Sequence, residues 1–175
     1  MSEKLSVPEL HTKLLSALGE HVIWHSSIAE KPLWVQLGPP YGWKLKIYLY
    51  NCTNPPGARQ AGECKSQIIL PGQKRGTRGK FELEPDAITL LMGYANFLGD
   101  DEGTFILWEL RKHMEFAYSA NVQVSLSTLL DSLTDPLFAR VKRGNGEWVV
   151  VCQPHMIYQA IKKRVDVDIE ILLKE

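Results

Sequence analysis

Residues 43–50 alternate without a break: Trp43, Leu45, Ile47 and Leu49 are apolar, and Lys44, Lys46, Tyr48 and Tyr50 stand between them. A period of two excludes a helix here, because successive side chains point to opposite faces only in a strand. The pattern predicts a strand with its apolar set inward. Its two lysines and two tyrosines then face outward, toward solvent or toward phosphates and bases. Short segments of strand character recur at 67–70, 88–94, 104–108, 122–124, 137–142 and 147–152. Arg143-Gly144-Asn145-Gly146 joins the last two, and its Asn-Gly pair predicts a type I′ hairpin turn.

Helices are expected only at the ends and at one point between. Ser6-Val7-Pro8-Glu9 is a capping box with proline in the first turn. Leu10, Leu14, Leu15 and Leu18 follow at helical spacing, and Gly19 closes the segment. A short helix begins in 127–133, and Pro154 opens a last helix that runs to Arg164. Many short strands with flanking short helices predict a mostly-β, α+β fold, a barrel or a sandwich. Without repeat, linker or low-complexity stretch, residues 1–175 read as one domain with a core over about 20–165.

The 20 basic and 20 acidic side chains cancel, but they are not evenly spread. Residues 1–82 hold 11 Lys/Arg against 6 Glu and no Asp, whereas residues 83–175 hold 9 against 14 acids. A basic half joined to an acidic half points weakly to a polyanionic partner and excludes a uniform polycation. No apolar run is long enough to span a membrane, and the N-terminus lacks an export core. Three cysteines without a CxxC pair fit a reducing cytoplasm, the expected location. Cys52 and Cys64 are placed to face each other across a hairpin, though sequence does not show a bond.

Catalytic patterns fail one after another. Glu63-Cys64-Lys65 matches half of a magnesium nuclease site, but no Asp precedes Asp86 to complete it. The plain reading is a charge pair at a strand edge. His11-Thr12-Lys13 lies on a helix and has Leu18 where a phosphodiesterase motif needs Asp. His21 and His25 have no third zinc ligand at ligand spacing. Nucleophile-elbow, phosphate-loop and dinucleotide signatures are missing too. Nothing in the sequence supports an enzyme or a cofactor.

One segment breaks every period. Residues 71–80, PGQKRGTRGK, hold Lys74, Arg75, Arg78 and Lys80 with no acid, interleaved with Gly72, Gly76 and Gly79. Glycine allows close backbone approach, and four cations offset several phosphates. Arginine also reads guanine O6 and N7 bidentately in the major groove. On spacing alone an ordinary solvated loop is as good a reading.

The block LPGQKRGTRGKF (70–81), together with FILWEL (105–110) and FAYSANVQV (116–124), resembles the B3-like DNA-binding domains of bacterial restriction endonucleases. In that family such domains serve as specificity or effector domains. The resemblance covers about residues 20–165 and implies a seven-stranded open pseudobarrel that grips the DNA major groove with two loop arms. It implies no cofactor for this domain; Mg²⁺ is expected only for an attached or associated nuclease. The implied partner is double-stranded DNA, with no membrane. The later arm falls on Gln73, Lys74, Arg75, Thr77, Arg78 and Lys80. The early arm lies within 21–42, where His25, Ser26, Ser27, Lys31, Trp34 and Gln36 are candidates without a fixed register. Family members also use a hairpin turn and a late loop, which adds Asn54, Arg59 and Gln60, and Lys142, Arg143 and Asn145. Tyr118, Ser119 and Asn121 match the FAYSANVQV block, where holding the strand edge is as good a role as touching DNA.

The resemblance therefore implies a sequence-specific DNA-recognition module of a restriction–modification system, either part of a longer enzyme or a separate subunit. Two rivals stay open: a Mg²⁺-dependent nuclease built on Glu63 and Lys65, and a protein-interaction barrel using the acidic half.

Overall fold

The computed structural model describes residues 4–54, 62–96, 102–142 and 144–175. Helix α1 (Val7–Leu18) begins as its sequence dictates: Ser6 Oγ accepts from Glu9 N, and the Glu9 carboxylate accepts from Ser6 N. Such a cap contributes about 1 kcal/mol. The strands that follow are β1 (Val22–His25), β2 (Leu33–Leu37), β3 (Lys44–Asn51), β4 (Glu63–Ile68), β5 (Gly79–Lys80) and β6 (Ile88–Ala95). After them come β7 (Thr104–Trp108), β8 (Glu115–Phe116), β9 (Ala120–Ser125), helix α2 (Leu126–Asp131), β10 (Leu137–Val141), β11 (Trp148–Cys152) and helix α3 (Ile157–Lys174).

Seven strands form one mixed sheet in the order β1-β2-β3-β6-β7-β11-β10. Only β3 and β6 run parallel; every other neighbour in it is antiparallel. On one face, Leu10, Leu14 and Leu18 of α1 and Ile157, Ala160 and Ile161 of α3 pack against Leu45, Ile47 and Leu49 and their neighbours. On the other face lie two small antiparallel pairs, β4 with β9 and β5 with β8. Their Cys64, Ile68, Val122, Val124 and Phe116 form a second core with Trp108, Val149 and Val151. The fold is thus mixed α+β with a large sheet covered on both sides.

That arrangement corrects the expectation for β3. Lys46, Tyr48 and Tyr50 are buried, not outward-facing, because a strand in the middle of a doubly covered sheet has no solvent side. The Lys46 ammonium is satisfied by Glu82 O at 3.0 Å and the Glu84 carboxylate at 3.4 Å. Tyr50 donates its hydroxyl to Ile69 O at 3.1 Å.

Other expectations change in detail. The seven-stranded count holds for the main sheet, but its edge strands β1 and β10 do not pair with each other, so it is not a closed barrel. The strand expected at 67–70 is centred earlier, at Glu63–Ile68; Cys64, Ser66 and Ile68 face inward, and Ser66 Oγ donates to Asn51 O. The last helix continues ten residues beyond Arg164, which is itself buried and bonded to Asp168 and to the carbonyls of Leu107 and Trp148. The β10–β11 turn is not type I′ at Asn145-Gly146, which would need positive φ at both residues. Among the described residues there, Gly144 at 101° and Gly146 at 69° have it and Asn145 does not. All three cysteines are buried and free, so Cys52 and Cys64 are not bonded. No helix among the described residues is long and apolar enough to cross a membrane.

Candidate nucleic-acid interface

Residues 69–86 cross β3 from its C-terminal to its N-terminal end. Ile69 O meets Tyr50, the Phe81 ring meets Tyr48 edge-on with centroids 4.9 Å apart, Glu82 and Glu84 meet Lys46, and Asp86 lies 3.9 Å from Lys44. From this seam the basic loop projects outward.

Two successive turns build the loop. Gln73 N donates to Leu70 O and Thr77 N to Lys74 O, both at 3.0 Å. Gly72 (φ 75°) and Gly76 (φ 80°) occupy the third position of each turn, where a type II turn requires positive φ. Pro71 at the second position of the first turn supplies the matching fixed φ. The Gln73 side chain clamps both ends, accepting from Leu70 N at 3.0 Å and donating to Thr77 O at 2.9 Å. Thr77 Oγ1 donates to Lys74 O. Gly79 seats the loop against β8, since a Cβ there would lie 2.5 Å from the Phe116 ring and 2.9 Å from Gln73 Oε1.

This scaffold divides the six residues expected in the later arm. Gln73 and Thr77 shape the loop with their own side chains. Lys80, on β5, lies 3.9 Å from Glu115. The side chains of Lys74, Arg75 and Arg78 are exposed and make no hydrogen bond or ion pair among the described residues. Arg75 stands at the second position of its turn, at the tip.

The early-arm register is now visible as an antiparallel hairpin, β1 with β2, at one edge of the sheet. Ser26 closes it: its N donates to Trp34 O, and its Oγ accepts from Trp34 N, both at 2.9 Å. Ser27 Oγ accepts from Ala29 N in the loop, and His25 Nδ1 lies 2.7 Å from Ser26 O. Gln36 spends its amide on the carbonyls of Gly42, Leu37 and Trp43. Trp34 pairs in register with Lys46, and the ammonium groups of Lys44 and Lys46 lie 5.1 and 5.6 Å from its ring centre. Trp24 pairs with Gln36 and so shares that sheet face, 55% exposed. Sequence reasoning missed Trp24, because Val22-Ile23-Trp24 reads as core until the strand is known to be an edge.

Lys31 ends the hairpin loop with its ammonium 3.8 Å above the Tyr50 ring, and burial pushes its pKa down to about 8. Asn54 is exposed just beyond the Thr53–Lys65 bridge. Arg59, Gln60 and Arg143 lie outside the described residues. Lys142 is engaged elsewhere, 3.2 Å from the buried Glu147 carboxylate, which His113 Nε2 also approaches at 2.6 Å. Asn145 Oδ1 accepts from Glu147 N, and Asn145 O accepts from Lys112. Tyr118 and Ser119 precede β9, with Ser119 at φ 58°, and Asn121 lies exposed on it.

The alternative catalytic group resolves into an ion pair: Glu63 and Lys65 sit two apart on β4 with 3.4 Å between charges. Among the described residues no three His, Cys, Asp or Glu side chains come together to hold a metal.

The chain is a mixed α+β fold that presents a cationic turn-built loop and an aromatic edge hairpin. The methylase-associated X1 family model matches residues 43–161, more than half of the sequence, and the chain belongs to that family. This membership supports the expected association with restriction–modification. No curated protein and no solved structure matches the chain.

Proposed function

We propose that this chain reads a short sequence in double-stranded DNA on behalf of a restriction–modification system. In this reading the domain works as a B3-like open pseudobarrel, with the β1–β2 hairpin and the 69–80 loop as the two arms in the major groove. The observation that carries it is the trio Lys74, Arg75 and Arg78: three cations without acidic partners among the described residues, on a turn scaffold fixed by Gln73, Thr77 and Gly79. Arg75 at the tip is the first choice for a base edge, and Lys74 and Arg78 for phosphates. Trp24 and Trp34 give the hairpin arm apolar surface for a thymine methyl group or a sugar.

The domain binds without catalysing and needs no cofactor; Mg²⁺ belongs to an attached or associated nuclease. Partners are the duplex, that nuclease and the methylase side of the system. Fluorescence anisotropy with labelled duplexes between 50 and 200 mM salt tests the reading. Affinity should fall steeply with salt, as phosphate neutralisation requires. Flat, salt-insensitive binding to every duplex sinks it. Mg²⁺-dependent plasmid cleavage lost on Glu63→Ala would instead favour the nuclease reading.

A further inference from the structure

A cleft of about 450 Å³ opens between the loop that joins β1 to β2 and the β4–β9 pair. Three lysines line it, Lys4, Lys31 and Lys65, and no acidic side chain does. Lys65 has Glu63 at 3.4 Å outside the lining, but Lys31 makes no hydrogen bond or ion pair among the described residues. Its side chain is partly buried, and its ammonium rests on the Tyr50 ring 3.8 Å away. A desolvated cation is costly without an anion, and one aromatic face offsets only part of that cost. Neutral donors complete the surface. Gln67 and Asn121 are direct cross-strand partners in the β4–β9 register, and Thr53 bridges to Lys65. The side chains of Thr53, Gln67 and Asn121 make no hydrogen bond among the described residues. Asn51, by contrast, is spent on Leu5, which fixes the chain beside Lys4 along the rim.

We propose that this cleft binds a phosphate-class anion, with Lys31 as the central charge, Lys4 and Lys65 flanking it, and the Gln67 and Asn121 amides as donors. Two sources share that chemistry: a backbone phosphate of duplex DNA next to the arms, or a free phosphorylated small molecule. Only the first rests on the DNA reading above.

Inorganic phosphate titrated into the whole chain, followed by the side-chain amide resonances of Gln67 and Asn121, tests the site without DNA. Saturable shifts are expected. Lys31→Gln and, independently, Asn121→Asp should each weaken them at least tenfold; Asn121 is exposed, so that variant keeps the fold. In parallel, duplex affinity is measured against salt for wild type and Lys31→Gln. A log–log slope reduced by about one, equally for all sequences, assigns the anion to the DNA backbone. Saturable phosphate shifts with an unchanged slope, or with no duplex binding at all, assign a free phosphorylated ligand. No saturable shift with phosphate, together with an unchanged slope, overturns the site.

Discussion

The Lys31 ammonium lies over the face of Tyr50, and the Tyr50 hydroxyl in turn donates to Ile69 O. One tyrosine therefore joins the end of the hairpin loop to the start of the basic loop, two segments almost forty residues apart in the chain. The β1–β2 loop and the basic loop are not independent appendages; both rest on Tyr50 of β3. Disturbing either should be felt by the other, which frames the outcomes expected below.

Arg75 and its neighbours differ in what they should do to specificity. Arg75→Ala is expected to cost about 1–3 kcal/mol of binding and to relax preference at a single base position. Lys74→Ala and Arg78→Ala should weaken all sequences alike and flatten the salt dependence. Competition binding with single-base variants of the preferred duplex separates the two patterns. Equal, sequence-independent losses from all three variants would remove Arg75 from base reading.

Gln73→Ala changes no charge but removes both hydrogen bonds that clamp the loop. Each such bond contributes about 1 kcal/mol. Duplex affinity should therefore drop several-fold while the slope against salt stays where it was. A changed slope would mean that Gln73 acts on DNA in some other way than by shaping the loop.

Lys31 makes the fold depend on alkaline pH in a defined direction. Burial lowers its folded pKa to about 8, below the ordinary lysine value of 10.5. Below pH 8 both folded and unfolded chains hold the proton, and the folded one bears the whole desolvation cost. Between 8 and 10.5 the unfolded chain binds more protons, so this group's contribution to stability rises with pH. Lys31→Met should stabilise the protein at pH 7 by about 1–3 kcal/mol and abolish that rise. Urea melts of both proteins at pH 7 and pH 10 measure the difference. A destabilised Lys31→Met at pH 7 would show that the ammonium is already compensated.

Glu147 has the opposite sign. Burial alone raises its pKa, but the His113 hydrogen bond and the charges of His113 and Lys142 outweigh burial and hold it below the ordinary carboxylate value. Its stabilising contribution is complete above pH 4.5 and is lost as pH falls through the lower folded value. Glu147→Gln should cost about 1–3 kcal/mol at neutral pH, because it leaves the partly buried His113 and Lys142 without their anion. It should also shift the acid-unfolding curve. An unchanged melting temperature would contradict the arrangement around Glu147.

Local signals made much of the scaffold legible in the sequence. The capping box at Ser6, the alternation at 43–50 and the glycine-rich punctuation all act over a few residues, and they located helix α1, strand β3 and the basic loop. Burial on both faces of β3 was not legible. Lysine and tyrosine carry apolar stems under a polar tip, so Lys46, Tyr48 and Tyr50 resemble a solvent face until Phe81, Glu82 and Glu84 are seen to cover them. The candidate site divides in the same way. Composition pointed to the loop, but only the hydrogen bonds show that Gln73, Thr77, Ser26 and Gln36 are spent on backbone while Lys74, Arg75 and Arg78 have no partner among the described residues.

The central claim, that the two arms read a duplex sequence, is tested most directly by selection from a pool of random-site duplexes with the intact chain at moderate salt. The account predicts enrichment of one short motif that wild type binds at least a thousandfold more tightly than unrelated duplex, with that preference weakened by Arg75→Ala. A selected pool with no shared motif, bound no better than the starting duplexes, would contradict it.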